Sequence, residues 1–114
     1  MDIDKAFYAY VECALWTSTD DDGHPLDELG VELESSAVAS MRNDVEDFFR
    51  ANAADIVDLD PAQVGHDFWL TRNRHGAGFW GRGLGALGDR LTDAAHAYGE
   101  SNIYRGDDDN WYVS

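Results

Sequence analysis

Gly65-His66-Asp67-Phe68-Trp69-Leu70-Thr71-Arg72-Asn73-Arg74-His75-Gly76-Ala77-Gly78-Phe79-Trp80-Gly81-Arg82-Gly83 is the stretch whose reading decides the fold. It holds two of the four Trp, two of the four His and three of the eight Lys or Arg, against a single carboxylate. Phe68-Trp69-Leu70-Thr71 is rich in residues that suit a pleated strand, and Ala77 to Trp80 can return antiparallel to it. With Asn73-Arg74 as a two-residue turn, Arg72 pairs with His75 and Phe68 with Phe79. Side chains alternate across a strand. One face then carries His66, Phe68, Leu70, Arg72, His75, Ala77 and Phe79, and the other carries Asp67, Trp69, Thr71 and Trp80. Phe68, Leu70, Ala77 and Phe79 make the better core face, and a longer loop would change the register.

Working outward, Asp4 can cap a first helix with Phe7, Tyr10, Val11, Ala14 and Leu15 on one side. Thr17 to Gly30 reads as a loop, with turn residues and a helix breaker in Thr19-Asp20-Asp21-Asp22-Gly23-His24-Pro25. A second helix starts near Ser35 or Ser36. Its stripe is Val38, Met41, Val45, Phe48, Asn52 and Ile56, and Arg42, Glu46, Asp47 and Arg50 lie on its outer side. Asp60-Pro61-Ala62-Gln63 reads as a helix start, cut to one turn by Gly65. A third helix runs from about Gly85 to Tyr98, with Leu84, Leu87, Leu91, Ala94 or Ala95 inward and Gly99 as its stop. Asn102 to Arg105 and Asn110 to Val113 form a second hairpin around Gly106-Asp107-Asp108-Asp109. Pairing Arg105 with Asn110 sets Tyr104 across from Trp111. The expectation is one domain over residues 1–114, of the α+β class. Three helices pack on one face of an antiparallel sheet made mainly from two hairpins.

The formal net charge is −15. Binding a polyanion needs cationic counter-charge, so DNA and anionic membrane are disfavoured as whole-surface partners. A basic patch on another protein is favoured. Composition offers a second account: the acids are mostly Asp and Lys5 is the lone lysine, as in a GC-rich genome or a protein of high salt. Cys13 is the only cysteine, which excludes an intrachain disulfide and a cysteine metal cluster. Met1-Asp2-Ile3-Asp4-Lys5 lacks the basic start of a secretory signal. No apolar run approaches the roughly 18 residues of a membrane span. The expectation is a cytoplasmic protein.

Among chemical motifs, Asp20-Asp21-Asp22-Gly23 hints at a calcium loop. An EF-hand aligned on Gly23 fails, because its last ligand position is Leu29 and Pro25 interrupts it. His66 and His75 lack a third zinc ligand. No metal or cofactor is expected. His66, Asp67 and His75 offer a general base and an orienting carboxylate, with Arg72, Arg74 or Arg82 for a phosphate. Neighbours on a strand point to opposite faces, however, so His66 and Asp67 make no dyad. No phosphate-binding loop, nucleophile elbow or HExxH motif is present. Trp69, Trp80, Arg72, Arg74 and Arg82 are residue types enriched at interaction hot spots. Large aromatics also fill cores, with Arg packed over them.

Thr17-Ser18-Thr19-Asp20-Asp21-Asp22-Gly23, Gly65 to Asn73, His75 to Trp80, Arg82-Gly83-Leu84-Gly85 and Gly88-Asp89-Arg90-Leu91-Thr92 resemble a family of small proteins encoded by bacteriophages and prophages. The resemblance runs from about Tyr8 to Tyr112. It implies a phage origin, hence a host-cell cytoplasmic location, and carries no activity or catalytic residue. The chain departs from the family pattern at Arg74, where the family has glycine, and at Gly81, where it has an acid. The leading expectation is an accessory protein that binds a host or phage protein. Its acidic face would comprise the Asp20–Asp22 loop and the outer side of the second helix, and it would mimic nucleic acid to inhibit a defence or nucleic-acid enzyme. The candidate binding residues are His66, Asp67, Trp69, Arg72, Arg74, His75, Trp80 and Arg82. The alternative is a hydrolytic or small-ligand site built from the same 66–82 segment.

Overall fold

Asp60 and Pro61 start a helix, as their order implies. The Asp60 carboxylate accepts from the Gln63 amide at 3.2 Å, and Pro61 takes the first helical position, where no donor is needed. The helix does not stop at Gly65. In the computed structural model, which describes residues 2–76 and 78–114, it continues to Arg72. The described elements are α1 (Ile3–Thr17), α2 (Ser35–Ala51), α3 (Ala53–Ile56), α4 (Pro61–Arg72), a 3-10 turn (Gly78–Arg82), α5 (Ala86–His96), β1 (Ile103–Arg105) and β2 (Trp111–Val113). The chain is α+β, with a small antiparallel sheet of two strands.

The first hairpin expected from the sequence is therefore replaced by helix. Phe68–Thr71 lies inside α4, and Gly78 to Trp80 belongs to the 3-10 turn. Ala77, expected on the returning strand, lies outside the described residues. Gly65 decides the matter. A Cβ placed on it would sit 2.0 Å from the Ala6 carbonyl oxygen, so α1 and α4 cross with their backbones nearly touching. Only glycine permits that approach. Packing then outweighs the strand preference of Phe68-Trp69-Leu70-Thr71.

Asn73 and Arg74 terminate a helix rather than turn between strands. Arg74 adopts φ +57°, its N–H donates to the Thr71 carbonyl at 3.1 Å, and the His75 N–H donates to the Leu70 carbonyl at 2.9 Å. This is a left-handed helix end that satisfies two otherwise orphaned carbonyls. The chain then folds back. The Phe79 N–H donates to Thr71 Oγ1 at 3.1 Å, and Gly78, at φ +48°, packs where a Cβ would meet that same oxygen.

The other helices follow the apolar periodicity closely. α1 is capped by Asp2, which accepts from the Lys5 amide, instead of by Asp4. The second helical stretch breaks at Asn52, which bonds back to the Phe48 carbonyl, so that α3 carries Ile56. α5 matches its expected span within two residues. The core gathers Tyr10, Met41, Val45, Phe48, Phe68, Trp69, Phe79 and Leu91. Phe48 stacks on Phe68 at 4.2 Å and on Phe79 at 5.8 Å, and Trp69 meets the edge of Tyr10 at 5.4 Å. The helices thus pack on one another, chiefly α1 on α4, instead of covering a sheet. The terminal hairpin lies against α2, held by the Glu34 N–H donating to the Trp111 carbonyl at 2.8 Å. Its register is shifted by one from the expected one: Arg105 pairs with Trp111, and Tyr104 with Tyr112, whose rings stack at 5.9 Å. The molecule is elongated, 43 × 24 × 22 Å.

Candidate functional site

α4 is buried on nearly every side, and three of the eight candidate residues serve the interior. Trp69, 2% exposed, donates its indole N–H to Thr17 Oγ1 at 2.8 Å. Arg72, 5% exposed, donates to Asp44 at 2.7 Å, to the Tyr10 hydroxyl and the Gly99 carbonyl at 2.9 Å, and to the Tyr98 carbonyl at 3.3 Å. Its guanidinium lies 5.6 Å from the Phe68 ring centre and 5.7 Å from that of Tyr98. Burial pushes the Tyr10 hydroxyl up to about 12 against the opposing pull of Arg72. Asp67, 2% exposed, accepts from Arg82 Nε at 3.0 Å, from Arg82 Nη2 at 2.9 Å and from Gln63 at 3.1 Å. A buried charge is tolerated when it is paired and hydrogen-bonded in this way.

The other five reach the surface in three places, His66 with Arg82, Arg74 with Trp80, and His75 alone. His66 projects from α4 into an open cleft of about 540 Å³ beside α1. Glu12, Cys13 and Trp16 line it from α1, Asp27 from the following loop, Asp60 and Gln63 from the start of α4, and Arg82 from the 3-10 turn. The Trp16 indole, 58% exposed, stacks on His66 with ring centres 6.3 Å apart. Arg74 and Trp80 line a different hollow of about 150 Å³ with Thr71, Gly76 and His96, and Trp80 is 65% exposed. His75 is exposed and lines neither cavity. The cleft therefore brings His66 and Arg82 together, but Arg72 is buried and His75 lies apart, and these four residues assemble no general base with an orienting carboxylate. Within the cleft, burial, with help from the Asp67 and Glu12 charges, pushes the Cys13 thiol up to about 12, far from a reactive thiolate.

The charges are distributed unevenly. Arg42 pairs with Asp4 and Glu46, Arg50 with Asp47, Arg72 with Asp44, Arg82 with Asp67, Arg90 with Asp55 and Arg105 with Asp109. The outer side of α2, expected to form part of an acidic face, is thus largely neutralised by its own arginines. Among the described residues, carboxylates without a Lys or Arg partner gather elsewhere. Asp20, Asp21 and Asp22 share a groove of about 550 Å³ with Tyr104, Arg105 and Trp111, near the Asp107–Asp109 hairpin tip. Asp20 accepts from the Asp22 and His24 amides, and these bonds hold its carboxyl below the usual range. Among the described residues, Asp20, Asp22 and His24 are the group whose ligand atoms lie within 4.8 Å of one another. No described helix is long and apolar enough to cross a membrane.

The sequence does not mark Glu12, Trp16, Asp27 or Gln63 as binding residues, though they shape the cleft. Glu12 and Trp16 are one helical turn apart, as are Gln63 and His66, so two short i, i+3 or i, i+4 pairs were the available signal. Comparison with protein-family models, with curated proteins and with solved structures finds no match.

Proposed function

We propose that the protein is a phage-encoded accessory factor that binds a basic surface on a host protein in competition with nucleic acid. The phage origin rests on the sequence resemblance. The binding reading rests on one observation above all: six of the eight cationic side chains are engaged in ion pairs, and none of the eight partners Asp21, Asp22, Glu28, Glu32, Asp107 or Asp108. That leaves the 19–34 loop and the hairpin tip as the acidic face and removes the outer side of α2 from it. The net charge of −15 along a 43 Å axis amounts to about one per 2.9 Å, somewhat more than half the density of duplex DNA at about one charge per 1.7 Å. Exposed Trp80 beside Arg74 adds a hot-spot pair of the kind that anchors protein contacts. The catalytic alternative loses support, because Asp67 and Arg72 are consumed in the interior and His66 and His75 are apart.

The test is affinity capture from host lysate at low and high salt, repeated with Asp20, Asp21 and Asp22 changed to Asn. A nucleic-acid-binding host protein recovered at low salt, lost at high salt and displaced by added duplex DNA is the expected result. Recovery that ignores salt and the triple substitution would refute it.

A further inference from the structure

We propose that the cleft between α1 and α4 receives an arginine side chain of the partner, and that an aliphatic neighbour of that arginine fills an adjoining slot. This rests on the reading of the protein as a binder of basic surfaces and names the contact that makes such binding selective. Glu12, Asp27 and Asp60 reach the cleft from three different elements, and none has a Lys or Arg partner. The cleft's own cation does not satisfy them, since Arg82 donates both Nε and Nη2 to buried Asp67. The cleft therefore holds net negative charge with acceptors approaching from several directions. A planar guanidinium with five donors fits that arrangement better than a compact ammonium does. Trp16 supplies the second half of the chemistry. Its indole is exposed and braced by stacking on His66, which makes a flat wall of the kind guanidinium groups pack against.

The slot is a separate cavity of about 200 Å³ lined by Leu59, Val64, Phe79 and Leu84, with Asp67 beside them already bound to Arg82 and Gln63. Asp60, Gln63 and Arg82 border both cavities, so the two are contiguous. A mostly apolar slot of that size takes one aliphatic side chain and disfavours a charged one, because its buried carboxylate, Asp67, is already paired with Arg82 and a desolvated charge there would gain little in return. A charged cleft joined to an apolar slot thus specifies an arginine with an aliphatic neighbour, and a diffuse acidic surface would not.

The experiment titrates the full chain with the blocked pentapeptide Gly-Leu-Arg-Leu-Gly, followed by two-dimensional NMR of backbone amides and Trp indoles. Saturable shifts confined to the cleft and slot at about millimolar peptide are expected. Replacing the peptide's Arg by Glu abolishes them, and Lys or flanking Ser weakens binding severalfold. Combined Glu12→Gln, Asp27→Asn and Asp60→Asn weakens binding about tenfold, Trp16→Ala about fivefold, and Asp20, Asp21 and Asp22 to Asn leaves it unchanged. The same spectra report that each variant is folded. Equal shifts with the Glu peptide, wild-type binding by the cleft variant, or no saturable shift overturns the assignment. A cleft variant that still captures a host protein in a salt-dependent way sinks this inference alone. Peptide binding without any captured partner sinks the broader reading alone.

Discussion

Gly65→Ala separates the two readings of the central segment most sharply. In an ordinary exposed helix the change stabilises by about 1 kcal/mol, because alanine is the better helix former. Here the new Cβ would lie 2.0 Å from the Ala6 carbonyl oxygen and 2.8 Å from the Ala6 carbonyl carbon. Both obstacles are backbone, so no rotamer change relieves them. α1 and α4 must part by about 1 Å or more, and cores yield little to such displacement. That shift loosens Tyr10 against Phe68 and Trp69, whose rings lie 5.3 and 5.4 Å away. Overpacking typically costs about 1–3 kcal/mol, and a backbone obstacle belongs at or above the top of that range. For a domain of this size, about 3 kcal/mol lowers Tm by roughly 15 °C. Thermal unfolding followed by far-UV circular dichroism measures it. An unchanged or raised Tm would show that α1 and α4 do not cross at Gly65 and would restore the hairpin reading.

Four further outcomes follow from the same geometry. Arg74→Gly should raise stability by about 1 kcal/mol in urea titration, because Arg74 sits at φ +57° in the helix-ending position that glycine prefers; a loss would mean that the left-handed end is not formed. Arg72→Met should cost about 3 kcal/mol, since it strips buried Tyr10 and two carbonyls of their donor, and a cost below about 1 kcal/mol contradicts the buried network. Cys13 should resist a thiol reagent at pH 8 until the protein unfolds, in keeping with a thiol pushed up to about 12. The carboxyls of Asp20 and Glu34 are held low by bonds from the His24 amide and the Ser36 hydroxyl, and those of Asp55 and Asp108 by Arg90 and the Tyr112 hydroxyl. Depressed folded values give stability that is present above the ordinary 3.8 and 4.5 and is lost as pH falls through the lower folded values. In salt that screens the net charge, the urea midpoint should therefore drop on going from about pH 6 to about pH 3, and a midpoint that rises would contradict this.

The elements legible in the sequence are those with one wet side. α1, α2 and α5 show apolar residues every three or four positions because their opposite faces meet solvent, and the terminal hairpin shows its turn residues plainly. α4 offers no such contrast. Val64, Gly65, Asp67, Phe68, Trp69, Thr71 and Arg72 are all buried, so polar and apolar residues alike face the interior and the helical period disappears. What remained visible was the composition of a strand and a glycine that resembles a stop. The start of α4 was legible in Asp60-Pro61, since capping is local, whereas its length depends on α1, sixty residues earlier. The same distance hid the cleft. Its carboxylates and its Trp come from α1, a loop and a helix cap, and no spacing within one element connects them.

Asp67 shows that residue types alone do not tell a site from a structural contact. Beside His66, with arginines nearby, it has the look of a catalytic carboxylate. On a helix the two neighbours diverge by about 100°, so that His66 meets the cleft while Asp67 turns inward. There it fixes Arg82 through two hydrogen bonds. The 3-10 turn is thus tied at both ends: Phe79 is held by Thr71, and Arg82 by Asp67. Between these tethers Phe79 goes into the core and Trp80 is left 65% exposed. The buried polar residues of α4 are the reason an indole can be displayed on a short irregular segment at low conformational cost. Under the proposed binding role, pre-ordering of that kind would reduce the freedom lost when a partner arrives. The polar residues that look most like chemistry lie inside the protein, where they hold the surface groups in place.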